Sequence, residues 1–408
     1  MLTKIQSLPL AVRQYLLITS NYWFFTLTDG ALRMLVVLHF YQLGYDALAI
    51  ATLFLFYEAF GVVTNLLGGW LGARIGLNRT MNIGLGLQVV ALSMLLVPPS
   101  WLIVPWVMAA QALSGIAKDL NKMSAKSAIK TLVPKNEKGK LYQWVAWLTG
   151  SKNALKGVGF FLGGLLLSLM GFTDAITLMA IALALVWLLS LLLLKEDLGK
   201  TNVKPKFNEI FSKSRSINLL SAARLCLFAS RDVWFVVALP VYLSSQLGWT
   251  QLDVGAFLAA WIIVYGLVQS QAPKITRSHS KLPDGGAAVL WMMALTMSML
   301  LMALAMDSLI FDLQWTLAVG LVVFGVVFAI NSSLHSYLIV SYAREDGASL
   351  DIGFYYMANA AGRLIGTLLS GWLYQISGLQ ACLYMALSFL VLTMLLSLFL
   401  PRNDKKSE

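Results

Sequence analysis

Charge is scarce in this chain. Only 12% of its 408 residues are Asp, Glu, Lys or Arg, where soluble domains carry about a quarter. So few charges cannot clothe a water-soluble surface, which excludes an ordinary soluble enzyme. The formal charge of +11 does not point to nucleic acid either, because its location along the chain explains it better, as shown below. Cysteine occurs twice, at Cys226 and Cys382, each inside an apolar run. That excludes a disulfide framework and a Cys-x-x-Cys metal site. The sequence has no His-Glu-x-x-His zinc motif and no nucleophile elbow. Gly199-Lys200-Thr201 resembles the end of a phosphate-binding loop, yet Leu194 stands where its first glycine belongs and no strand precedes it. Gly157 and Gly159 lie in an apolar helix, not in a strand-to-helix dinucleotide turn. The reading is a protein that is not an enzyme and needs no metal or cofactor. Met1 to Leu10 lack a charged-apolar-small cleavage pattern, so no removable signal peptide is expected.

Apolar residues are abundant: 59% of the chain is hydrophobic and the mean hydropathy is +0.75. Runs of membrane-spanning length recur at residues 15–40, 47–72, 80–98, 101–124, 140–168, 173–194, 217–243, 251–272, 286–306, 315–341, 352–375 and 379–400. The connections near Gly44, Pro98, Gly171, Gly248, Asp307 and Gly378 hold no Lys or Arg. The alternate set holds Arg74, Arg79, Lys135, Lys138, Lys140, Lys274, Arg277, Lys281, Lys405 and Lys406. Basic loops stay on the cytoplasmic side, so both termini are expected there, in a multi-pass membrane protein. Residues 195–216 are the longest polar connection and read as a solvated cytoplasmic linker touching anionic lipid. The linker separates two six-helix bundles, 1–194 and 217–408.

Spans three, six, nine and twelve carry no interior charge, while spans one, two, four, five, seven and eleven do and the tenth adds Asn331 and His335. Sparing every third helix in both halves is what the major facilitator fold requires. A weak repeat agrees: Asn153-Ala154, Lys156, Gly159, Gly163 and Gly164 resemble Asn359-Ala360, Arg363, Gly366, Ser370 and Gly371. The turn GGWLGARIGLNR (Gly68 to Arg79) resembles the facilitator signature, with Arg74 and Arg79 as gating residues and Ala73 in place of the usual aspartate. GFFLGG (Gly159 to Gly164) resembles the antiporter motif of the fifth span, with Phe160 replacing its proline. The fold class expected is all-α, with twelve transmembrane helices in two six-helix halves.

Arg33, Lys118, Lys122, Lys152, Lys156, Arg224, Arg231 and Arg363 fall inside these spans, accompanied only by Asp29, Glu58, Asp119 and Asp232. A Lys or Arg at the centre of a spanning helix costs about 2.5–3.5 kcal/mol. All eight facing lipid would outweigh the stability of an ordinary domain, so they are expected to face a shared wet interior suited to an anion. Substrate contact is therefore assigned to Arg33, Lys118, Lys152, Lys156, Arg224, Arg231 and Arg363. Lys152 and Lys156 stand out, because like charges at this spacing repel. Guanidinium groups suit bidentate binding of phosphate, arsenate or carboxylate.

Asp29 and Arg33 can meet on one helical face as an ion pair, or Asp29 can carry a proton. Glu58 has no local cationic partner and reads as a lone proton site or a carboxylate hydrogen-bonded across helices. Asp119 can neutralise Lys122, whereas Lys126 and Lys130 read as solvated. Asp232 is expected to point away from Arg231, leaving it as a further proton-coupling candidate. His335, with Asn331 one turn away, reads as a hydrogen-bonded structural histidine or a proton shuttle.

Asn21 to Tyr45, Leu77 to Gln88, Ser114 to Pro134 (SGIAKDLNKMSAKSAIKTLVP) and Gly150 to Gly164 (GSKNALKGVGFFLGG) resemble the bacterial organoarsenical efflux permeases of the ArsJ type. The resemblance implies export of 1-arseno-3-phosphoglycerate, formed when glyceraldehyde-3-phosphate dehydrogenase uses arsenate in place of phosphate, and hence arsenate resistance by proton antiport. It also implies a functional link to that dehydrogenase, and a monomer in lipid with no nucleic-acid partner. A facilitator for another organophosphate anion or drug, or a membrane sensor with a transporter-like body, remains open.

Overall fold

The structure is a computed structural model that describes residues 10–45, 53–132, 138–194, 200, 214–249, 251–276, 282–308 and 312–402. Nearly all of the expected linker, and the basic residues Lys135, Arg277, Lys281, Lys405 and Lys406, lie outside these. The helices are α1 (Leu10–Gln42), α2 (Leu55–Ile75), α3 (Leu77–Met94), α4 (Val104–Leu132), α5 (Lys138–Leu193), α6 (Arg215–Phe235), α7 (Ala238–Ser245), α8 (Gln251–Ile275), α9 (Gly285–Ser308), α10 (Leu313–Tyr342) and α11 (Ala348–Ser397). No strand occurs among the described residues.

Two helices are too long to be single spans. At 1.5 Å per residue, the 56 residues of α5 would reach about 84 Å, far beyond a hydrocarbon core of about 30 Å. Each bends at a glycine: Gly171 in α5 (φ 77°, ψ 179°) and Gly378 in α11 (φ 71°, ψ −169°). Those angles lie in a region reserved almost wholly for glycine. Open space surrounds both, so backbone conformation and not crowding demands the residue. The next residue anchors each bend. Phe172 stacks on His39 of α1 at 4.0 Å, and buried Leu379 precedes Gln380, which donates to the Ala303 carbonyl. Counting each arm once, and α6 with α7 as one span, gives the twelve spans the hydropathy pattern predicts.

Among the described residues, seven helical segments are long and apolar enough to cross a membrane on composition alone. Their exposed apolar residues form helical stripes: Leu178, Ile181, Leu185, Leu188 and Leu192 on the second arm of α5, and Leu290, Met293, Met297, Leu301 and Leu304 on α9. Continuous exposed apolar faces of this kind are membrane-facing surfaces. The segments outside that group, α2, α3 and α4, bury several polar residues, among them Asn65, Asn78, Gln88, Gln111 and Asn121, while α2 also exposes Phe56, Phe60, Val63 and Leu67.

The chain packs as two compact units. The first comprises Met1–Trp144, Ser151–Phe211 and Ala343–Met357; the second Val145–Gly150, Ser212–Tyr342 and Ala358–Glu408. In the first, α4 packs against α1, α2 and α3, and a polar bridge joins three helices: Asn21 donates to Ser190 Oγ (2.8 Å), which donates to Asn82 (2.6 Å). In the second, α10 packs against α8 and α9 around Trp234, Trp261, Met292, Phe324 and Phe328. Trp261 donates to the Leu321 carbonyl at 3.0 Å, because an indole N–H in an apolar core must find an acceptor.

The same glycine contact occurs in each unit. A Cβ on Gly159 would meet Leu27 O at 2.7 Å and Gly30 Cα at 3.1 Å; one on Gly366 would meet Ala229 O at 2.8 Å and Asp232 Cβ at 3.0 Å. Residues three apart on α1 and on α6 thus receive equivalent glycines of α5 and α11. This register pairs Lys156 with Arg363, as the sequence repeat does. Where the first unit has Gly30, the second has Asp232.

Candidate functional site

Each unit gathers its charged residues on a few facing helices. In the first, Arg33 of α1 pairs with Glu58 of α2, Nη2 to Oε1 at 3.0 Å. The intrahelical Asp29–Arg33 pair is therefore not formed, and Glu58 is not the acid standing alone. Asp29, 6% exposed, instead accepts the Tyr57 hydroxyl at 2.6 Å.

The stripe on α4 continues the cluster. Lys122 donates to Asp119 Oδ1 at 2.6 Å, the neutralisation expected from their spacing. Lys118 Nζ stands 3.9 Å from Asp119 Oδ2, an oxygen buried with no hydrogen-bond donor. Asp119 is hidden while both lysines retain accessible surface. Lys126, expected to be solvated, is 4% exposed and donates to the Tyr356 hydroxyl at 2.6 Å. Lys130 is half-buried. The hydrophobic pattern missed this because α11 contributes the turn that covers α4. On α5, Lys152 donates to Asn153 Oδ1 at 3.2 Å and Lys156 Nζ lies 5.7 Å from the Phe160 ring centroid.

In the second unit, Arg231 and Arg363 converge on the wholly buried Asp232. Arg231 Nε reaches Oδ1 at 2.6 Å and Arg363 Nε reaches Oδ2 at 3.2 Å. Adjacency in sequence does not separate Arg231 from Asp232, contrary to the expected orientation, because the arginine stem bends back over one residue. Arg224, 3% exposed, donates to Asn359 Oδ1 (2.8 Å) and the Ser332 carbonyl (3.1 Å). Phe228 lies beneath both Arg224 (4.1 Å) and Arg231 (4.8 Å). Positions 224, 228 and 231 share one face of α6, a cation-aromatic-cation stripe.

His335 is wholly buried with neither ring nitrogen hydrogen-bonded, which corrects the expected hydrogen-bonded role. Asn331 donates to the Trp291 and Val327 carbonyls instead. Arg74 and Arg79 are exposed at the α2–α3 turn, Arg74 lying 4.9 Å from the Trp70 ring centroid. Among the described residues no three His, Cys, Asp or Glu side chains converge as metal ligands would. Sequence reasoning did not single out Tyr57, Tyr356 or Phe228. An aromatic mid-span is ordinarily core, and only cations from other turns and helices mark these.

Helices bearing buried, paired charges, arranged as two glycine-packed repeats, agree with a comparison of the sequence against known families. A Major Facilitator Superfamily profile matches residues 18–311 and 224–408. The chain belongs to the major facilitator superfamily. It is a multi-pass membrane transporter. Facilitators of similar fold include a bacterial homologue of the iron transporter ferroportin in an outward-facing state, with a TM-score of 0.74 and 14% identity over 94% of this chain and 98% of that one. The human organic anion transporter MFSD10 (TETRAN) has a TM-score of 0.73 and 16% identity over 96% and 100%. The E. coli fucose:proton symporter FucP has a TM-score of 0.71 and 10% identity over 96% and 100%. At such identities the likeness concerns the fold alone. No curated protein sequence matches the chain significantly.

Proposed function

We propose that this facilitator exports a phosphorylated organoarsenical anion, 1-arseno-3-phosphoglycerate, by proton antiport across a bacterial inner membrane, with both termini cytoplasmic. One observation carries the anion assignment. In each unit two cations share one buried aspartate: Lys118 and Lys122 on Asp119, Arg231 and Arg363 on Asp232. One carboxylate balances one cation, so positive charge is left over beside accessible surface, where a phosphate or arsenate oxygen gains charge-assisted hydrogen bonds. Arg33, Lys152, Lys156 and Arg224 complete the substrate-contacting set. The choice of organoarsenical within the anions rests on the resemblance of Ser114 to Pro134 and Gly150 to Gly164 to the ArsJ-type permeases, and it makes the dehydrogenase the supplier of the substrate.

Driving force supports outward movement. An anion leaving an inside-negative compartment gains about 2.3 kcal/mol per charge per 100 mV, and a proton entering in exchange moves charge in the same favourable sense. Asp29, a buried acid of the first unit with no ion pair among the described residues, is the leading proton carrier, with His335 second. Glu58 and Asp232 serve as counter-ions, and Arg74 and Arg79 act at the gate.

Everted vesicles bearing the protein test this reading. They should accumulate arsenic only when arsenate, glyceraldehyde 3-phosphate, NAD and the dehydrogenase are present together. Accumulation without the dehydrogenase refutes this substrate. The same cations would also serve another organophosphate anion. Uptake suppressed equally by unlabelled phosphoglycerates would favour that alternative.

A further inference from the structure

Tyr57 occupies an unusual position in the first unit. Its ring lies under two cations, the Arg33 guanidinium carbon at 4.6 Å and Lys118 Nζ at 3.7 Å from the centroid. Its hydroxyl donates to Asp29 at 2.6 Å, and the residue is 2% exposed. One side chain from α2 therefore touches charged residues of both α1 and α4. The two cations differ in what else holds them. Arg33 has a direct 3.0 Å bond to Glu58. Lys118 has no hydrogen bond among the described residues; its neighbours are the Tyr57 ring and an Asp119 oxygen 3.9 Å away. Its side chain nevertheless keeps 16% accessibility. An ammonium with three N–H donors, accessible on one side and held only by a ring face and a distant carboxylate, is poised to donate to an incoming oxyanion.

We propose that Lys118 receives an anionic oxygen of the substrate and that Tyr57 is the positioning residue that holds it ready. This inference rests on the anion-transport reading. A π-face attracts an ammonium without satisfying its N–H donors in the way a carboxylate does, so the lysine is held close while its donors remain open. Asp119, hydrogen-bonded to Lys122 at 2.6 Å, gives Lys118 an ion pair at 3.9 Å but no hydrogen bond. A phosphoryl, arsono or carboxylate oxygen is the ligand class that fits, since it supplies the short acceptor that Lys118 lacks. The Tyr57 hydroxyl serves Asp29, so ring and hydroxyl have separable tasks.

A double-mutant cycle on full-length protein in lipid nanodiscs tests this, with 3-phosphoglycerate as the probe and titration calorimetry as the readout. Lys118→Gln and Tyr57→Leu should each weaken probe binding about tenfold. The double variant should be no worse than Lys118→Gln alone, because contacting residues acting on one ligand group are not additive. Tyr57→Phe, which keeps the ring and so guards against misfolding, should bind within about threefold of wild type. Fully additive losses, or unchanged binding in Lys118→Gln, overturn the proposal while leaving the anion reading intact. Absence of probe binding in the wild-type protein instead removes the anion reading beneath it.

Discussion

Arg363 of α11 and Asp232 of α6 are joined at 3.2 Å across 131 residues of sequence. The carboxylate is wholly buried and also holds Arg231. Charges placed at membrane depth are costly unless paired in this way, so the aspartate is a keystone of the second unit. Asp232→Asn should destabilise by about 3–5 kcal/mol, the usual consequence of removing one partner from a buried pair. Thermal unfolding in detergent measures it. A loss below about 1 kcal/mol would mean that water already satisfies both guanidinium groups.

Asp29 and Glu58 should separate functionally. Glu58 pairs with Arg33 with about a quarter to a third of each side chain accessible; screened pairs of this kind contribute about 1 kcal/mol or less. Glu58→Gln should retain transport driven by an imposed pH gradient. Asp29→Asn should lose that dependence while a membrane potential still drives flux. Vesicle assays with each gradient imposed alone distinguish the two, and the reverse pattern would restore Glu58 as proton carrier.

Lys152 and Lys156 lie one turn apart on α5, on the helix whose glycines receive α1. Neutralising either to Gln should abolish arsenate resistance in cells while membrane levels, measured by immunoblot, stay within about twofold of wild type, since removing an in-span cation lowers insertion cost. Full resistance in both variants would remove them from the site.

Two glycines of α11 should respond oppositely to alanine. At Gly362 an added Cβ would run into the Leu225 carbonyl oxygen, whereas at Gly371 nothing lies within 4 Å. Gly362→Ala must push two backbones apart and should reduce folded yield severely, as overpacking commonly costs about 1–3 kcal/mol or more. Gly371→Ala should be neutral or stabilising by up to about 1 kcal/mol through helix propensity. Size-exclusion profiles of both proteins decide it. Equal behaviour would show that the α6–α11 contact yields to an added methyl group.

Much of the architecture was readable from local chemistry. Gly171 and Gly378 stood out as unlike the charged connections, and both prove to be the bends that divide over-long helices. Glycines four apart on α5 (Gly159 and Gly163) and on α11 (Gly362 and Gly366) permit close helix packing, and Leu27 and Ala229 make the backbone contacts there. Charge pairing was another matter. Asp29 and Arg33 share a helical face, yet Arg33 turns to Glu58; Lys126 resembles a solvated lysine until Tyr356 covers it. Tyr57 gave no signal of its own, because its role depends on which cations other helices bring to its ring.

Hydropathy, glycine spacing and the alternation of basic loops dictate by themselves that this polypeptide crosses a bilayer repeatedly as paired helices. Those properties act over one or two turns, and a nonpolar solvent leaves few alternatives to a helix. Partner choice among ionised groups was settled only when helices distant in sequence came together. Electrostatic attraction in a low-dielectric interior depends on separations of a few ångströms, and residue order does not specify those.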